Sequence, residues 1–203
     1  MRKLFITGIG TDVGKTLVSA IFVESLKADY WKPVQCGNLD NSDTSYVKQL
    51  VTSKDSVFHP EAYRLKEPIS PHAAAGMEGI EISINEIKLP ATQNTLIIEG
   101  AGGLMVPLNS VNHVIDLIIE FNAEVILVAK HYLGSINHTL LSIDALKNRN
   151  IPIAGIVFNG ERNETSERVI LNYYLFKFVA YVDQEAVITS NTLEKHSRKF
   201  SII

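Results

Sequence analysis

The chain has 203 residues, a length that suits one domain with a full hydrophobic core, and we predict a single domain over residues 1–203. Its 46% hydrophobic residues are ordinary for a globular protein, and its net charge of −3 gives no strong attraction to nucleic acid or anionic membranes. One cysteine, Cys36, excludes an intrachain disulfide, and no apolar run has the length of a signal peptide or a membrane span, so we predict a cytoplasmic protein with neither nucleic acid nor membrane as partner.

The first predicted elements flank a glycine-rich loop. Leu4–Ile6 is a short apolar run typical of a buried strand, and Leu17–Lys27 has apolar residues at helical spacing. Between them, Gly8–Thr16 has the pattern G-x-x-x-x-G-K-T, in which backbone N–H groups at a helix N-terminus cradle a polyphosphate. Lys15 adds a charge for the outer phosphates, and the Thr16 hydroxyl can bind Mg²⁺.

The next segment mixes one strand, one helix and a long connection. Tyr30–Val34 predicts a second strand ending near Pro33, and Asn41–Val51 predicts a helix capped by Asn41 or Ser42. Residues 54–82 hold several prolines without a clear period, which predicts a long ordered loop that can include short helical pieces. A structureless loop of that length inside a domain is usually functional. Ser83 to Glu86 has capping-box spacing and predicts a short helix.

The rest of the chain alternates apolar strands with helical patterns. The predicted strands are 95–99, 124–129, 151–158 and 178–182, and the predicted helices are 114–121, 135–148 with Ser135 as cap, 164–176 and one opening near 191. This alternation predicts an α/β fold of the P-loop NTPase kind: a mainly parallel sheet with helices on both faces, in three layers. Ligands of such sheets bind at the carboxyl ends of the strands. That rule gathers along one edge Gly8–Thr16, Lys32, Glu99, residues 130–135 and Asn159.

Two carboxylates and one lysine at that edge are candidates for chemistry. Glu99 ends a buried strand before the glycine-rich residues 100–103, a position typical of the second half of a Mg²⁺ site. Asp43 alone is more typical of a helix cap than of a ligand. Lys32 at a strand end is compatible with a site or with the surface, because a buried lysine is costly unless it faces an anion. The six histidines lack metal-ligand spacing, and neither a Ser-His-Asp arrangement nor a base beside Cys36 is evident.

Together, the motifs of residues 4 to about 160 resemble those of the dethiobiotin synthetase family, in the family's order. They are Thr11–Thr16, Trp31–Gln35, Asn41–Asp43, Glu67–His72, Glu99–Leu104 with Pro107 and Leu108, and Leu133–His138. Many enzymes share the phosphate loop. The combination of Lys-Pro-Val, Ser-Pro-His and Leu-Gly-x-Ile-Asn-His, by contrast, is close to diagnostic.

The resemblance implies a ligase that uses ATP, CO₂ and 7,8-diaminononanoate to make dethiobiotin, ADP and phosphate. The diamine takes up CO₂ as a carbamate, ATP phosphorylates the carbamate, and the second amine closes a cyclic urea. Carbamate and γ-phosphate are both anions, so Lys15, Lys32 and Mg²⁺ are implied to offset their repulsion. Thr16, Asp43 and Glu99 are the implied metal ligands.

The resemblance also implies the remaining contacts. Those to the nucleotide are Thr7, Thr11, Asp12, Val13, Gly14, Lys15, Thr16, Asp43, Glu99, Gly100, Ala101, Gly102, Asn159, Val182 and Asp183. Those to the substrate are Thr11, Lys32, Cys36, Ser135, Ile136 and Asn137. Ser135–Asn137 open a helix whose N–H groups suit the substrate carboxylate, and in the family this segment serves the neighbouring subunit, so a homodimer is implied. The amide of Asn159 has the donor and acceptor that an adenine edge requires.

Three departures from the family pattern bear on nucleotide selectivity and affinity more than on the reaction. Gly10 stands where Asp is frequent, Cys36 where a hydroxyl residue is common, and Val182-Asp183 where a proline usually helps to wall the adenine pocket.

Two other protein classes stay open. A related amidoligase would need a glutaminase partner, and the chain holds no second domain with a cysteine nucleophile. A partitioning-type ATPase switch has an extra lysine near the first glycines of its loop, where this chain has Ile9–Val13. A dinucleotide-binding fingerprint does not fit, because Val13 stands where its third glycine is required.

Overall fold

The computed structural model of the protein describes residues 1–200, which are built around a seven-stranded sheet. The strands are β1 (Lys3–Gly8), β2 (Asp29–Trp31), β3 (Val34–Cys36), β4 (Phe58–His59), β5 (Tyr63–Leu65), β6 (Leu96–Gly103), β7 (Glu124–Ala129), β8 (Ile153–Asn159) and β9 (Val179–Val182). The main sheet has the order β4-β2-β6-β1-β7-β8-β9, and β3 pairs with β5 in a separate small sheet. Every pairing in both sheets is parallel.

Within residues 1–200, seven α-helices connect or cover the strands. They are α1 (Lys15–Leu26), α2 (Asp43–Leu50), α3 (Pro71–Met77), α4 (Val114–Glu120), α5 (Ser135–Lys147), α6 (Glu164–Tyr173) and α7 (Ser190–Ser197). Helix α1 packs against α2 and α7, whereas α5 packs against α6. From β1 the chain crosses to β2 on one side of the sheet, whereas β7, β8 and β9 follow one another on the other side. Because both sets of crossovers are right-handed, α1, α2 and α7 lie on one face of the sheet and α5 and α6 on the other. The prediction of a three-layer α/β fold with a mainly parallel sheet is confirmed.

The central strands are buried on both faces, as their sequences require. Strand β7 is apolar from Val125 to Ala129, and each of these residues is buried. A strand covered by helices on both sides has no polar face, so its apolar run is continuous rather than alternating. Because all strands run in parallel, their carboxyl ends lie at one edge of the sheet, where the phosphate loop leaves β1.

The predicted second strand is divided in two at Lys32 and Pro33. Proline has no N–H to continue a ladder, so the chain leaves the main sheet after Trp31. It then pairs Val34–Cys36 with β5 in the small sheet. The prediction of a long ordered loop with short helical pieces over residues 54–82 agrees with the short helix α3, but it was wrong for β4 and β5, which that segment also contains. Pro71 is the first residue of α3, a position that needs no intrahelical N–H donor.

Several predicted ends also differ from the structure. Glu99 does not end its strand: β6 continues to Gly103, and the pairing register shifts between Ile6 and Gly8 of β1. The glycines after Glu99 allow this irregular continuation. Helix α6 ends at Tyr173, three residues before the predicted end.

Two of the three predicted helix N-caps also differ from the structure. Residues Ile84–Glu86 form only a 3₁₀ turn, and Ser83 makes no side-chain cap there. Ser135 is the first residue of α5, and Gly134, with φ of 101°, is its N-cap, so the cap prediction for Ser135 was wrong. The prediction for α2 was correct for Ser42, whose side chain accepts a hydrogen bond from the N–H of Ser45. Of the helices in residues 1–200, none has the length and apolar character needed to cross a membrane.

Candidate active site

The phosphate loop lies between β1 and α1, and its glycines are required by close contacts. Gly14, the N-cap of α1, has φ of 95°. A Cβ at this position would lie 2.0 Å from Nδ2 of Asn159, and the positive φ would strain any residue with a side chain, so both features favour glycine. The Nζ atom of Lys15 donates to the carbonyl oxygen of Gly10 at 3.0 Å, inside the loop. Burial lowers the pKa of Lys15, partly opposed by the attraction of Glu99.

Four polar side chains from four parts of the chain converge beside this loop. The hydroxyl of Thr16, in α1, lies 3.1 Å from Oδ1 of Asp43 and 2.8 Å from Oε1 of Glu99. Lys32 donates from Nζ to the same Oε1 of Glu99 at 3.0 Å and also to Oδ2 of Asp43. We call Thr16, Lys32, Asp43 and Glu99 the acid–lysine cluster. It unites residues that the sequence predicted separately as metal ligands and as a catalytic cation.

Lys32 and Glu99 of the cluster are buried, whereas Thr16 and Asp43 are partly exposed. Lys32 is 5% exposed and Glu99 is 1% exposed. Burial by itself lowers the pKa of Lys32, but the attraction of Glu99 and Asp43 and their hydrogen bonds outweigh it, so the pKa lies above its ordinary value. Lys32 is therefore an ammonium group at neutral pH. Removing one member of such a buried ion pair leaves the other charge uncompensated.

The oxygen atoms of the cluster suit Mg²⁺. This ion prefers oxygen ligands and is usually held by one or two carboxylates together with substrate phosphates and water. Asp43 and Glu99 supply two carboxylates, and Thr16 supplies a hydroxyl at the start of α1. In residues 1–200 no three His, Cys, Asp or Glu side chains converge as a self-sufficient metal site. The cluster thus has the composition of a site that a nucleotide phosphate completes.

A cavity of about 780 Å³ opens over the cluster and the phosphate loop. Small-molecule sites commonly have this size. Its lining contains eleven of the predicted site residues: Thr11, Asp12, Gly14, Lys15, Thr16, Lys32, Cys36, Asp43, Glu99, Ala101 and Gly102. Pro68–Pro71, just before α3, also line the cavity. The sequence analysis named this segment as part of a motif but did not predict it as a site. Burial raises the pKa of the Cys36 thiol in this lining to about 11.

Three predicted nucleotide contacts, Thr7, Val13 and Gly100, are not part of the cavity lining. Thr7 is 0% exposed, and its hydroxyl has no hydrogen-bond partner within residues 1–200. Val13 is also buried. A Cβ at Gly100 would lie 2.7 Å from the ring of Phe5, so this glycine serves the packing of β6 against β1.

A second group of predicted residues lies on the other side of Gly14. Asn159 ends β8 and donates from Nδ2 to the carbonyl oxygen of Val13 at 2.9 Å. Val182 lies opposite Asn159 in β9 and accepts a hydrogen bond from the N–H of Gly160 at 2.8 Å. The carboxylate of Asp183 points to Lys199, 3.4 Å away. The amide nitrogen of Asn159 is thus directed to the loop, and its amide oxygen takes no part in that contact.

The start of α5 lies outside this cavity. Ser135 is buried, and its N–H donates to the carbonyl oxygen of Tyr132 at 2.9 Å. The N–H groups of Ile136 and Asn137 are the next in the first turn, where no intrahelical carbonyl is available. Leu133 beside them is fully exposed. The segment therefore presents amide donors and an exposed apolar side chain at a surface that is not part of the lining of this cavity.

Sequence reasoning missed two buried residues of the site. Tyr30 donates from its hydroxyl to Oε2 of Glu99 at 2.9 Å. Gln35 accepts a hydrogen bond from the backbone N–H of Asp43 at 3.2 Å and donates to the carbonyl of Gly37. Both flank Lys32 in the chain, but only the fold brings them to the two carboxylates.

The chain is similar to known proteins over most of its length. The model of the family described as an AAA domain matches residues 2–192. An ATP-dependent dethiobiotin synthetase BioD of Cytophaga hutchinsonii is 56% identical over 98% of this chain and 97% of its own. One of Paramagnetospirillum magneticum is 38% identical over 95% and 93% of the two chains.

Solved structures of other proteins share the fold. A plasmid partition protein of Borrelia burgdorferi bound to AMPPNP has a TM-score of 0.57 at 9% identity, covering 98% of this chain and 97% of that one. The septum site-determining protein MinD of Pyrococcus horikoshii, complexed with Mg-ADP, has a TM-score of 0.57 at 18% identity, covering 98% and 88%. At such identities the likeness establishes the fold alone.

Proposed function

The chain belongs to the ATP-dependent dethiobiotin synthetases, enzymes of biotin synthesis, and from this premise we propose that it joins CO₂ to 7,8-diaminononanoate through a phosphorylated carbamate. One amine of the substrate adds to CO₂ and loses a proton, which gives the carbamate. A carbamate oxygen attacks the γ-phosphorus of ATP and releases ADP. The second amine then attacks the carbonyl carbon and expels phosphate, which closes the cyclic urea of dethiobiotin.

The acid–lysine cluster beside the phosphate loop is the observation that carries this proposal. The carbamate and the γ-phosphate are both anions, so their approach needs cations held in place. Lys32 is a buried ammonium group at the cavity, and Lys15 is a second cation in the loop. We assign Lys32 to the carbamate and Lys15 to the outer phosphates. Phosphoryl transfer requires positioning more than a protein nucleophile, and none is assigned.

We assign Thr16, Asp43 and Glu99 to hold Mg²⁺ together with the nucleotide phosphates. When bound, Mg²⁺ would neutralise part of the phosphate charge. In the absence of the ion, Lys32 pairs with both carboxylates and offsets one of their two negative charges, with Nζ 3.0 Å from Oε1 of Glu99. The same ammonium group is thus within reach of the metal ligands and of the cavity in which the carbamate would form.

Nucleotide and substrate contacts outside the cavity are part of the same proposal. The backbone of Thr11–Thr16 and of Gly100–Gly102 would surround the phosphates. Asn159, Val182 and Asp183 would contact the base, on the far side of Gly14. Thr7 has no exposed atom, so we assign it an indirect contribution through the packing of β1 below the loop.

The substrate carboxylate requires a further anion site, and we assign it to Ser135, Ile136 and Asn137 of a second copy of the chain. These residues open α5, where N–H groups without intrahelical partners attract an anion. They do not line the cavity of their own chain, which is consistent with binding the substrate in the cavity of a neighbouring subunit. The exposed apolar residues Tyr132, Leu133 and Leu141 adjoin them and would be covered in such a homodimer.

A product assay tests the proposal. Purified protein with 7,8-diaminononanoate, bicarbonate, ATP and Mg²⁺ should form dethiobiotin and ADP in equal amounts, measured by mass spectrometry and a coupled ADP assay. Replacing Mg²⁺ by EDTA should stop both products. ATP hydrolysis that is independent of the diamine, with no dethiobiotin at any bicarbonate concentration, would reject the proposal in favour of an ATPase switch.

A further inference from the structure

Tyr30 is a buried tyrosine with a direct hydrogen bond to a carboxylate of the acid–lysine cluster. Its side chain is 0% exposed, and its hydroxyl donates to Oε2 of Glu99 at 2.9 Å. The other oxygen of that carboxylate, Oε1, lies next to Thr16 and Lys32, at 2.8 and 3.0 Å. The two oxygens of Glu99 therefore have separate partners: Tyr30 donates to Oε2, whereas Thr16 and Lys32 donate to Oε1.

The ring of Tyr30 is fixed from several directions. Tyr30 lies in β2, which runs between β4 and β6, and it pairs with Phe58 and Ile97. Its N–H donates to the carbonyl oxygen of Val57 at 2.9 Å, and its ring packs near that of Phe58, with centroids 6.2 Å apart. A hydroxyl on so constrained a ring cannot follow a rotating carboxylate. It holds the carboxylate plane of Glu99 in one orientation.

We propose that Tyr30 is a positioning residue that sets the affinity of this site for a divalent cation by orienting Oε1 of Glu99 through the hydrogen bond to Oε2. This inference rests on the proposed function, in which Glu99 is a metal ligand. Hydrogen bonds to the far side of a metal ligand orient it and tune its basicity, and their loss typically costs about 10- to 100-fold in metal affinity or activity. Tyr30 touches neither the cavity nor the reacting atoms, so it acts through Glu99 only.

Tyr30→Phe removes the hydroxyl and keeps the ring. Mn²⁺, titrated into the protein–ADP complex and followed by electron paramagnetic resonance, reports cation binding without any turnover. We expect the Mn²⁺ dissociation constant to rise about 10-fold or more. The Mg²⁺ concentration for half-maximal dethiobiotin synthesis should rise in parallel, while ADP affinity without a divalent cation stays within about twofold.

Tyr173→Phe is the matched control. Tyr173 also donates to a carboxylate, with its hydroxyl 2.8 Å from Asp144, but this pair is exposed and lies between α5 and α6. Its loss should leave the Mn²⁺ dissociation constant unchanged. An equal effect of Tyr30→Phe and Tyr173→Phe would overturn the inference.

Glu99→Gln separates a failure of this inference from a failure of the proposed function. If Glu99→Gln leaves Mn²⁺ binding intact, the metal site itself is wrong. If Glu99→Gln abolishes binding and Tyr30→Phe does not weaken it, the metal site stands and the role of Tyr30 is refuted. In both cases the outcome is read from the binding curve.

Thermal unfolding without metal keeps the inference testable if Tyr30→Phe destabilises the protein. Tyr30→Phe leaves Oε2 of a buried carboxylate without its donor, so the melting temperature should fall. Glu99→Gln replaces the charged carboxylate by a neutral amide. In that background Tyr30→Phe should lower the melting temperature much less, because the effects of two residues that act through each other are non-additive. Equal falls in both backgrounds would show that Tyr30 acts through packing alone and would overturn the inference.

Discussion

Thr16 and Glu99 are 83 positions apart in the chain, yet the hydroxyl of Thr16 lies 2.8 Å from Oε1 of Glu99. The same oxygen accepts a hydrogen bond from Lys32 at 3.0 Å. One carboxylate oxygen therefore accepts hydrogen bonds from two residues: Thr16, in the helix that follows the phosphate loop, and Lys32, which we assign to the carbamate. A cation bound by Glu99 would compete with Lys32 for this oxygen, so metal binding and the position of Lys32 are expected to be coupled.

The first prediction separates binding from chemistry at Lys32. Lys32→Ala should leave ATP affinity nearly intact, because Lys15 and the loop amides hold the phosphates. Turnover should fall ~10²–10³-fold, by analogy with the loss of one positioned electrostatic contact. Fluorescence titration with a labelled nucleotide and the dethiobiotin assay measure the two effects. Lys48→Ala, at an exposed lysine of α2, is the matched control and should change neither.

Lys32→Ala should also change the stability of the protein without metal. The variant leaves Glu99 and Asp43 without their buried cation, which is strongly destabilising. Its melting temperature should fall, and Mg²⁺ should raise that temperature more than it does in the unmodified protein. Unchanged turnover in this variant would remove Lys32 from the mechanism.

The second prediction tests the shared site. Asn137→Asp places a negative charge where the substrate carboxylate of the partner is assigned, so it should raise the KM for 7,8-diaminononanoate strongly and leave ATP affinity nearly unchanged. Mixing Asn137→Asp chains with Lys15→Ala chains should give heterodimers in which one site carries both lesions and the other carries neither. Each heterodimer should recover up to about half of the original activity in an isologous dimer.

Two results would contradict the shared site. One is a monomer in sedimentation at the assay concentration. The other is a mixture that stays as inactive as the separate variants although subunit exchange is confirmed by mass spectrometry of tagged chains. Either result would leave residues 133–138 as an ordinary helix start.

The third prediction concerns Cys36, the only cysteine of the chain. Because burial raises the pKa of its thiol to about 11, the thiolate is scarce at neutral pH and alkylation by iodoacetamide should be slow. The rate should rise with pH up to about 11. ATP with Mg²⁺ and the diamine should slow it further, because Cys36 lines the cavity. Rapid alkylation at pH 7, unaffected by these ligands, would place the thiol outside the site.

The fourth prediction follows from Glu167, which is buried in α6. The hydrogen bonds from Arg162 lower the pKa of Glu167 below its ordinary value of 4.5, although burial opposes them. A carboxylate with a lowered folded-state pKa contributes stability above about pH 4.5 and loses it as the pH falls through the folded-state pKa. Glu167→Gln should therefore be less stable than the original protein at pH 7, with a difference that shrinks below pH 4.5.

Urea unfolding at pH 7 and at about pH 3.5 measures that difference. Glu164→Gln, at an exposed position in the first turn of the same helix, is the control and should be close to neutral at both values. A Glu167→Gln effect that is the same at both pH values would show that the side chain stabilises α6 through shape rather than charge.

Much of the fold follows from local patterns. The apolar run, the glycine loop and the helical spacing near the start predict β1, the phosphate loop and α1, because each depends on neighbouring residues. Glu99 was placed correctly at the phosphate edge, although β6 runs on to Gly103. Its position follows from the apolar run before it, whereas the continuation depends on the pairing of Gly103 with Gly8 of β1.

The rest depends on contacts between distant segments. The small sheet of β3 and β5 forms because Pro33 diverts the chain, but its partner, Tyr63–Leu65, cannot be identified from Val34–Cys36 alone. The role of Tyr30 depends on a carboxylate 69 positions away. A tyrosine in an apolar strand predicts burial and nothing about the partner of its hydroxyl.

The most direct test of the central claim is the fate of the oxygen atoms of bicarbonate. With ¹⁸O-labelled bicarbonate and unlabelled ATP, transfer of the γ-phosphoryl group to a carbamate oxygen predicts that the released phosphate carries one ¹⁸O atom. The urea carbonyl of dethiobiotin should carry another, and mass spectrometry resolves both. Unlabelled phosphate released at the same rate without dethiobiotin would mean that water attacks ATP, and would contradict the assignment of this site to carbamate phosphorylation.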